Sequence, residues 1–425
     1  MRLSYLTIIL LYIHVLVAST CKKHDELSTL TPFPGFDDPT IVPLDTIWRR
    51  MIDSISFDVA SITPIINSKG DIIVSNFGTR LNREPIMLFD GKTGEKKWEW
   101  QDYFRDEIGF FNRKHLVDND ILVLGAYNAT YALDMVTGQT LWRHFMPTGY
   151  GSPFIFKDDR GYVYHIFSGE DGDFSNYIYR TRINQLNWEL ICTLKDSINL
   201  HFSRRMPENI SFTYNTKGEQ LMLFTLTLFN TSIDGNTFLA CYNINEKKYE
   251  WVRNYYQDYN EWGHTNMHVY NNMIVAYAYL GNHRYLTGIN LENGNIEWKQ
   301  RIERSGVGLF TFNDKVISTL NGENPVRCYD SKTGQIIWEQ KFTPEILQEL
   351  NFSFGDVTIY KNYLFSTQCK RLVVLNLIDG NVVYNERIST GCLEYGAVVD
   401  EHNKTFFVVD GTYINCYKLP KEIQF

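Results

Sequence analysis

The chain has 425 residues, a formal net charge of −8 and 15% aromatic residues, with Tyr and Phe at 27 each. A mildly acidic balance spread along the sequence, with no basic run, disfavours nucleic acid as a partner. The absence of a CxxC or CxxCH spacing leaves cysteine-held zinc and c-type haem without a signature.

Taken in order, the chain opens on Met1-Arg2 and a lightly interrupted apolar run from Leu3 to Ala18, then Ser-Thr-Cys21-Lys-Lys. A charged start, a short apolar core and small residues before a cut describe an export signal over residues 1–20. The run is too short to favour a permanent span. Small residues before a cysteine also match, loosely, a bacterial lipoprotein signal, in which Cys21 becomes the lipidated first residue. Residues 21–43 are polar, carry Pro32, Pro34, Pro39 and Pro43, and read as a flexible tether.

From residue 44 to 425 one unit repeats. It is clearest at Asp134-Met-Val-Thr137-Gly138-Gln-Thr-Leu-Trp142, and recurs from Asp90, Asn290, Asp330 and Asn376, the last with Tyr384 in place of Trp. A β-rich run precedes the Asp or Asn, and a second run carries the aromatic. The chemistry is that of a tight hairpin: Asx and Thr side chains bond local backbone, and Gly supplies the positive φ. The marker aromatics Trp98, Trp142, Trp188, Trp251, Trp298, Trp338 and Tyr384 are spaced 44, 46, 63, 47, 40 and 46 residues apart. A period in the forties made of strands predicts one four-stranded propeller blade per repeat.

The third and fourth repeats lose the Thr-Gly turn, and the long gap between them predicts an inserted loop around Met206–Lys217. Trp48 sits on an outermost strand without its own blade. Phe406–Asp410 and Tyr413–Tyr417 are inner strands without an outermost one. Pairing the two ends closes the ring and removes its open edges. The predicted fold is therefore all-β, an eight-bladed propeller of four-stranded antiparallel blades, closed by the N-terminal strand, in one domain over 44–425. Trp48, Trp98, Trp142, Trp188, Trp251, Trp298, Trp338 and Tyr384 are read as blade-docking residues, not catalytic ones.

Beyond Cys21 there are six cysteines. Cys241, Cys328 and Cys416 fall in one column of the repeat with Ala132, Gly288 and Val374, a position that wants a small buried residue. Cys392 with Cys416 is the first disulfide to test. Five Asn-X-Ser/Thr sequons, at Asn128, Asn209, Asn230, Asn351 and Asn403, are about as many as chance supplies in this composition.

The small-x-Asp-x-x-Thr-Gly-x-x-x-Trp unit resembles the blade signature of PQQ-like (pyrroloquinoline-quinone-type) β-propellers. The likeness covers nearly everything after the tether. It implies fold; function must come from the site. One branch of that family is the quinoprotein dehydrogenases, which hold a quinone and calcium beside an adjacent-cysteine disulfide. This chain has no Cys-Cys pair and no acidic cluster to hold a hard cation. The other branch is exported and non-enzymatic, typified by a lipoprotein of outer-membrane barrel assembly, which shares the export signal, Cys, linker, eight blades and terminal closure. The reading is a non-catalytic interaction scaffold without catalytic, cofactor or metal residues. It is lipid-anchored at an outer membrane, and its monomeric ring sits in a protein complex, with the barrel-assembly complex implied by the resemblance. A ligand-binding alternative, for a glycan or peptide, rests on the segments that enter the innermost strands: Arg105, Tyr150, Arg204, His264, Asp356 and Glu394 line one mouth of the channel. Ordinary hydrogen bonding of strand ends around a wet channel explains the same residues.

Overall fold

The computed structural model describes residues 46–52, 64–75, 85–103, 115–125, 129–145, 151–168, 176–194, 210–228, 236–256, 267–280, 283–302, 306–320, 326–342, 357–366, 371–387, 397–410 and 413–423. They form 32 strands in eight antiparallel sheets of four. Blades 1–7 span residues 65–100, 115–145, 151–194, 210–256, 268–302, 306–340 and 357–387, each with its strands in sequence order from innermost to outermost. Blade 8 takes Val398–Asp400, Thr405–Asp410 and Tyr413–Lys418 from the C-terminal end, and its fourth strand, Thr46–Met51, from the N-terminal end. The ring is therefore closed by the predicted pairing, with Trp48 opposite Cys416 and Met51 opposite Tyr413.

The core is divided into eight hydrophobic clusters, one at each seam between neighbouring blades. Strand alternation explains this division. Ile72 and Val74 face blade 8, whereas Ile73 between them faces blade 2. Both faces of a middle strand are buried, so such strands read as near-continuous apolar runs such as Ile-Ile-Val. Blade packing on neighbours, not on a single centre, lets one domain of this length form without a conventional core.

The expected insertion around Met206–Lys217 is not what lies there. Ile210–Tyr214 is the innermost strand of blade 4, and 215–218 is its turn. Much of the extra spacing comes from long strands in this blade, Gln220–Leu228, Asn236–Asn243 and Lys248–Tyr256. The rest falls in connections outside the described residues.

Candidate functional site: blade seams and the turn face

The repeated turn has the geometry its sequence demands. Asp90 Oδ1 accepts from the backbone N–H groups of Lys92 and Thr93, both at 2.9 Å. Gly94 N donates to Asp90 O at 2.8 Å, and Asp90 N to Glu95 O at 2.8 Å. Asp134, Asn290, Asp330 and Asn376 repeat this closure. Blade 4 keeps it without Thr-Gly: Asn243 Oδ1 caps Asn245 and Glu246, and Lys247 takes the left-handed position at φ 55°.

Electrostatics follow the same bonds. Lys97 bridges Asp71 at 2.7 Å and Asp90 at 2.8 Å. That ammonium, with help from the Thr93 and Lys92 amides and against burial, holds the Asp90 carboxyl down at about 2. At Asp134 and Asp330 burial pushes upward, but the hydrogen bonds of their turns outweigh it, so both carboxyls also lie below their ordinary value.

In six of the eight blades the turn receives the aromatic of the blade before it. Trp48 Nε1 donates to Gly91 O at 2.9 Å, Trp142 to Ile183 O at 2.7 Å and Trp251 to Leu291 O at 2.8 Å. Trp298 donates to Ser331 O at 3.1 Å and Trp338 to Leu377 O at 3.2 Å. The ring face lies on the turn glycine: a Cβ on Gly94, Gly138, Gly294, Gly334 or Gly380 would stand 2.4–2.7 Å from an indole carbon. These glycines are thus required twice, for φ near +70° and for the approach of the ring.

A β-bulge aims the aromatic. In seven of the eight blades the register shifts just before it, as between Ala132 and Leu133 opposite Trp142. The residue directly opposite is Cys416, Leu88, Ala132, Cys241, Gly288, Cys328 or Val374. This is the small column of the sequence, and its reason is the indole folded over it: a Cβ on Gly288 would stand 2.0 Å from Trp298 Nε1. The largest occupant, Leu88, faces Trp98, whose buried Nε1 has no hydrogen-bond partner.

Seven of the eight predicted docking residues pack into the seam with the following blade; Tyr384 joins the blade 7–8 cluster. Trp188 does not dock forward. Its ring sits 6.0 Å from Trp142, 5.2 Å from His144 and 6.2 Å from His165, in the seam with blade 2. The physical reason is the bulge, which in blade 3 comes after Trp188, between Ile178 and Tyr179. Glu189 pairs with Arg180 on the blade-4 side, so alternation leaves Trp188 on the other face.

Sequence reasoning missed residues two positions beyond the marker. Trp100 Nε1 donates to Thr140 Oγ1 of blade 2 at 2.8 Å, and that hydroxyl donates to Asp102, which also pairs with Arg143 at 2.9 Å. Arg50 Nε donates to Gly94 O at 3.1 Å, and Arg253 Nη2 to Asn293 O at 2.8 Å. The recurring Trp-x-Arg at 48–50 and 251–253 was the available signal.

Each blade runs from its innermost to its outermost strand, and the chain then passes to the innermost strand of the next blade. All six channel-mouth candidates, Arg105, Tyr150, Arg204, His264, Asp356 and Glu394, fall between an outermost strand and the next innermost one, outside the described residues; Cys21, ahead of the first strand, also lies outside them. The turn-bearing face is described, and its turns are tied blade to blade. Ser68 N donates to Asp120 at 2.7 Å, Lys157 pairs with Asp118 at 2.9 Å, and Tyr214 donates to Asp159 at 2.7 Å. Cys192, Cys241, Cys328 and Cys416 are free, buried thiols, so the suggested Cys392–Cys416 disulfide is not formed at Cys416. Its sulfur sits instead under the Trp48 ring, 3.8 Å from Gly91 O of blade 1. Cys392 lies outside the described residues. Of the sequons only Asn403 is described, and its amide nitrogen is held by Asp400 at 2.6 Å. Among the described residues no three His, Cys, Asp or Glu converge to hold a metal, and no helix is long and apolar enough to cross a membrane.

Fold and seams together define an eight-bladed propeller whose blades are joined by tryptophan docking. Residues 259–412 match the family model described as PQQ_2, outer membrane protein assembly factor BamB. Over that stretch, which falls in the last four blades, the chain is similar to PQQ-like β-propellers. No curated protein matches its sequence. Among solved structures it is similar to the Dos1 propeller, with a TM-score of 0.58 and 14% identity over 88% of this chain and 95% of that one. A quinohemoprotein alcohol dehydrogenase from Pseudomonas putida gives 0.53 and 11% over 88% and 76%. BamB from Moraxella catarrhalis gives 0.49 and 14% over 90% and 100%. At such identities the first two likenesses speak for the fold alone.

Proposed function

We propose that this chain is an exported, non-catalytic interaction scaffold, anchored to a membrane through a lipid on Cys21 and serving the assembly of outer-membrane proteins. The observation that carries the reading is how the described aromatics are spent: they lock blades to one another and leave a rigid ring that displays loops and strand edges. The family model over 259–412, described as an outer-membrane assembly factor, supports the assembly role. The mechanism is rigid display. Partners bind the inter-strand loops or add a strand to an outer blade edge, so little ordering entropy is lost on binding.

A dehydrogenase reading draws on the quinohemoprotein likeness, which is one of fold. The described residues do not fit a quinone–calcium centre: no oxygen-rich cluster converges among them, and the sequence has no adjacent cysteine pair.

The test is in-cell cross-linking, membrane extraction and identification of the bound polypeptides. Recovery of barrel-assembly components in stoichiometric amount is the expected result; a chain that emerges without any partner refutes the scaffold role. Cys21→Ala should move the protein from the membrane to the soluble fraction, and continued membrane retention would rule out the anchor.

A further inference from the structure

The seam between blades 2 and 3 is the one that Trp188 enters from behind, and it encloses two histidines. His144 lies two residues beyond Trp142 on the outermost strand of blade 2, on the same face and opposite Thr130. His165 lies two residues beyond Val163 on the second strand of blade 3, also on the seam face, and is fully buried. Its Nδ1 is hydrogen-bonded to Thr130 Oγ1 across the seam. Both imidazoles border the Trp188 indole, His144 at 5.2 Å and His165 at 6.2 Å between ring centres.

Little among the described residues would answer a charge on either ring. The titratable groups that face the pair are Asp118 from blade 2 and Lys157, Tyr177 and Tyr179 from blade 3; the two tyrosines alternate with Ile178, which faces blade 4. Asp118 is at the turn end, where it pairs with Lys157 at 2.9 Å. Arg143 points the other way, onto Asp102 of blade 1, and Glu189 pairs with Arg180 on the blade-4 side. The indole face can offset part of a charge on His144, but His165 lies beyond that reach. The Thr130 hydroxyl accepts as readily as it donates, so it favours neither form of His165. Burial decides, and it holds His144 below its ordinary value. His268, in the blade 5–6 seam, is placed differently: it stands alone and gives its Nε2–H to Leu309 O at 2.5 Å.

We propose that the blade 2–3 seam is an acid-sensitive joint of the ring, in which protonation of His144 and His165 drives the two blades apart. An imidazole that is neutral in the closed seam and free to protonate in the open one makes closure complete above the ordinary histidine value of about 6.5 and progressively weaker below it. Two such rings in one seam also repel each other once both are charged. Blade 3 gives up its forward-facing Trp at this seam, so the departure from the repeat coincides with the joint. The inference holds whichever partner the ring serves.

The test places a thiol in this seam of the full-length protein by Ala132→Cys. Position 132 belongs to the repeat column in which blade 6 already carries Cys328, beneath Trp338. Cys328 lies in the blade 6–7 seam, whose described residues include no histidine. Labelling by dithiodipyridine, mapped by mass spectrometry and expressed as the ratio of position 132 to Cys328, cancels the pH dependence of the reagent. From about pH 6.5 to 5.5 the ratio should rise about fivefold if one imidazole takes up a proton on opening, and about thirtyfold if both do. Adding His144→Gln, at the less buried ring, should lower that rise about fivefold, and adding His165→Gln as well should leave the ratio flat. A ratio independent of pH with both histidines present overturns the proposal, as does an undiminished rise in His144→Gln together with the double variant. The first of these outcomes needs only Ala132→Cys, so it is decisive even if the double variant does not fold.

Discussion

Replacing Gly294 by Ala should damage the ring more than its local backbone alone predicts. Gly294 holds φ at +71°, and a Cβ there would stand 2.7 Å from Cδ2 and Cε3 of Trp251. The left-handed conformation costs an alanine about 1–2 kcal/mol. The indole must also withdraw, breaking the 2.8 Å bond from Trp251 Nε1 to Leu291 O. An orphaned buried donor costs about 1–3 kcal/mol, so the total is about 2–5 kcal/mol. Gly218 provides the control, with φ +78° and nothing within 4 Å of its Cβ position, so Gly218→Ala should cost only the backbone share. Urea denaturation of both variants, read by Trp fluorescence, gives the comparison. The cycle is completed in a Trp251→Ala background, where Gly294→Ala should fall back to the backbone cost. Equal destabilisation by Gly294→Ala and Gly218→Ala, or an unchanged effect without the indole, would refute ring-on-glycine docking.

Trp100→Phe keeps the ring but removes the donor to Thr140, and should lower stability by about 1 kcal/mol; a melting temperature equal to wild type argues against the bond. Deleting residues through Met51 removes the fourth strand of blade 8 and exposes the strand Tyr413–Lys418. The melting transition should drop sharply, and an unchanged one would rule out terminal closure. Asp90, Asp134 and Asp330 have depressed folded values, with Asp90 at about 2. Their contribution is therefore complete above the unfolded carboxylate value of about 4 and is lost as pH falls toward 2. Asp90→Asn should flatten the acid limb of the stability curve, and a curve that overlays wild type contradicts the Lys97 contact. Burial pushes the thiols of Cys192, Cys241, Cys328 and Cys416 up to about 12. A thiol reagent should label these four only on unfolding, which peptide mapping would check.

The blade count, the closure and most docking residues were legible because the turn chemistry is local. Asp-x-x-Thr-Gly dictates its own hydrogen bonds, and each Trp sits at a fixed offset from it. The small column was legible as a pattern, whereas its cause, an indole folded across the strand pair, needs the register. Trp188 misleads because its offset from the turn is close to that of the others, while the bulge that reverses side-chain facing lies beyond it. Trp100 and Thr140 are 40 residues apart and meet only through the stacking of blades 1 and 2. His144 and His165 look unrelated until the stacking of blades 2 and 3 sets both beside Trp188. The predicted channel-mouth residues belong to connections outside the described residues, so the strand pattern that placed the blades says nothing about them.

The central functional claim is that the ring serves partners instead of holding a redox cofactor. Native mass spectrometry of the membrane-extracted protein addresses it most directly, because one spectrum reports bound polypeptides and bound small molecules. The account predicts a mass equal to the lipidated chain plus partner polypeptides. A chain that carries a quinone and calcium in unit stoichiometry would contradict it.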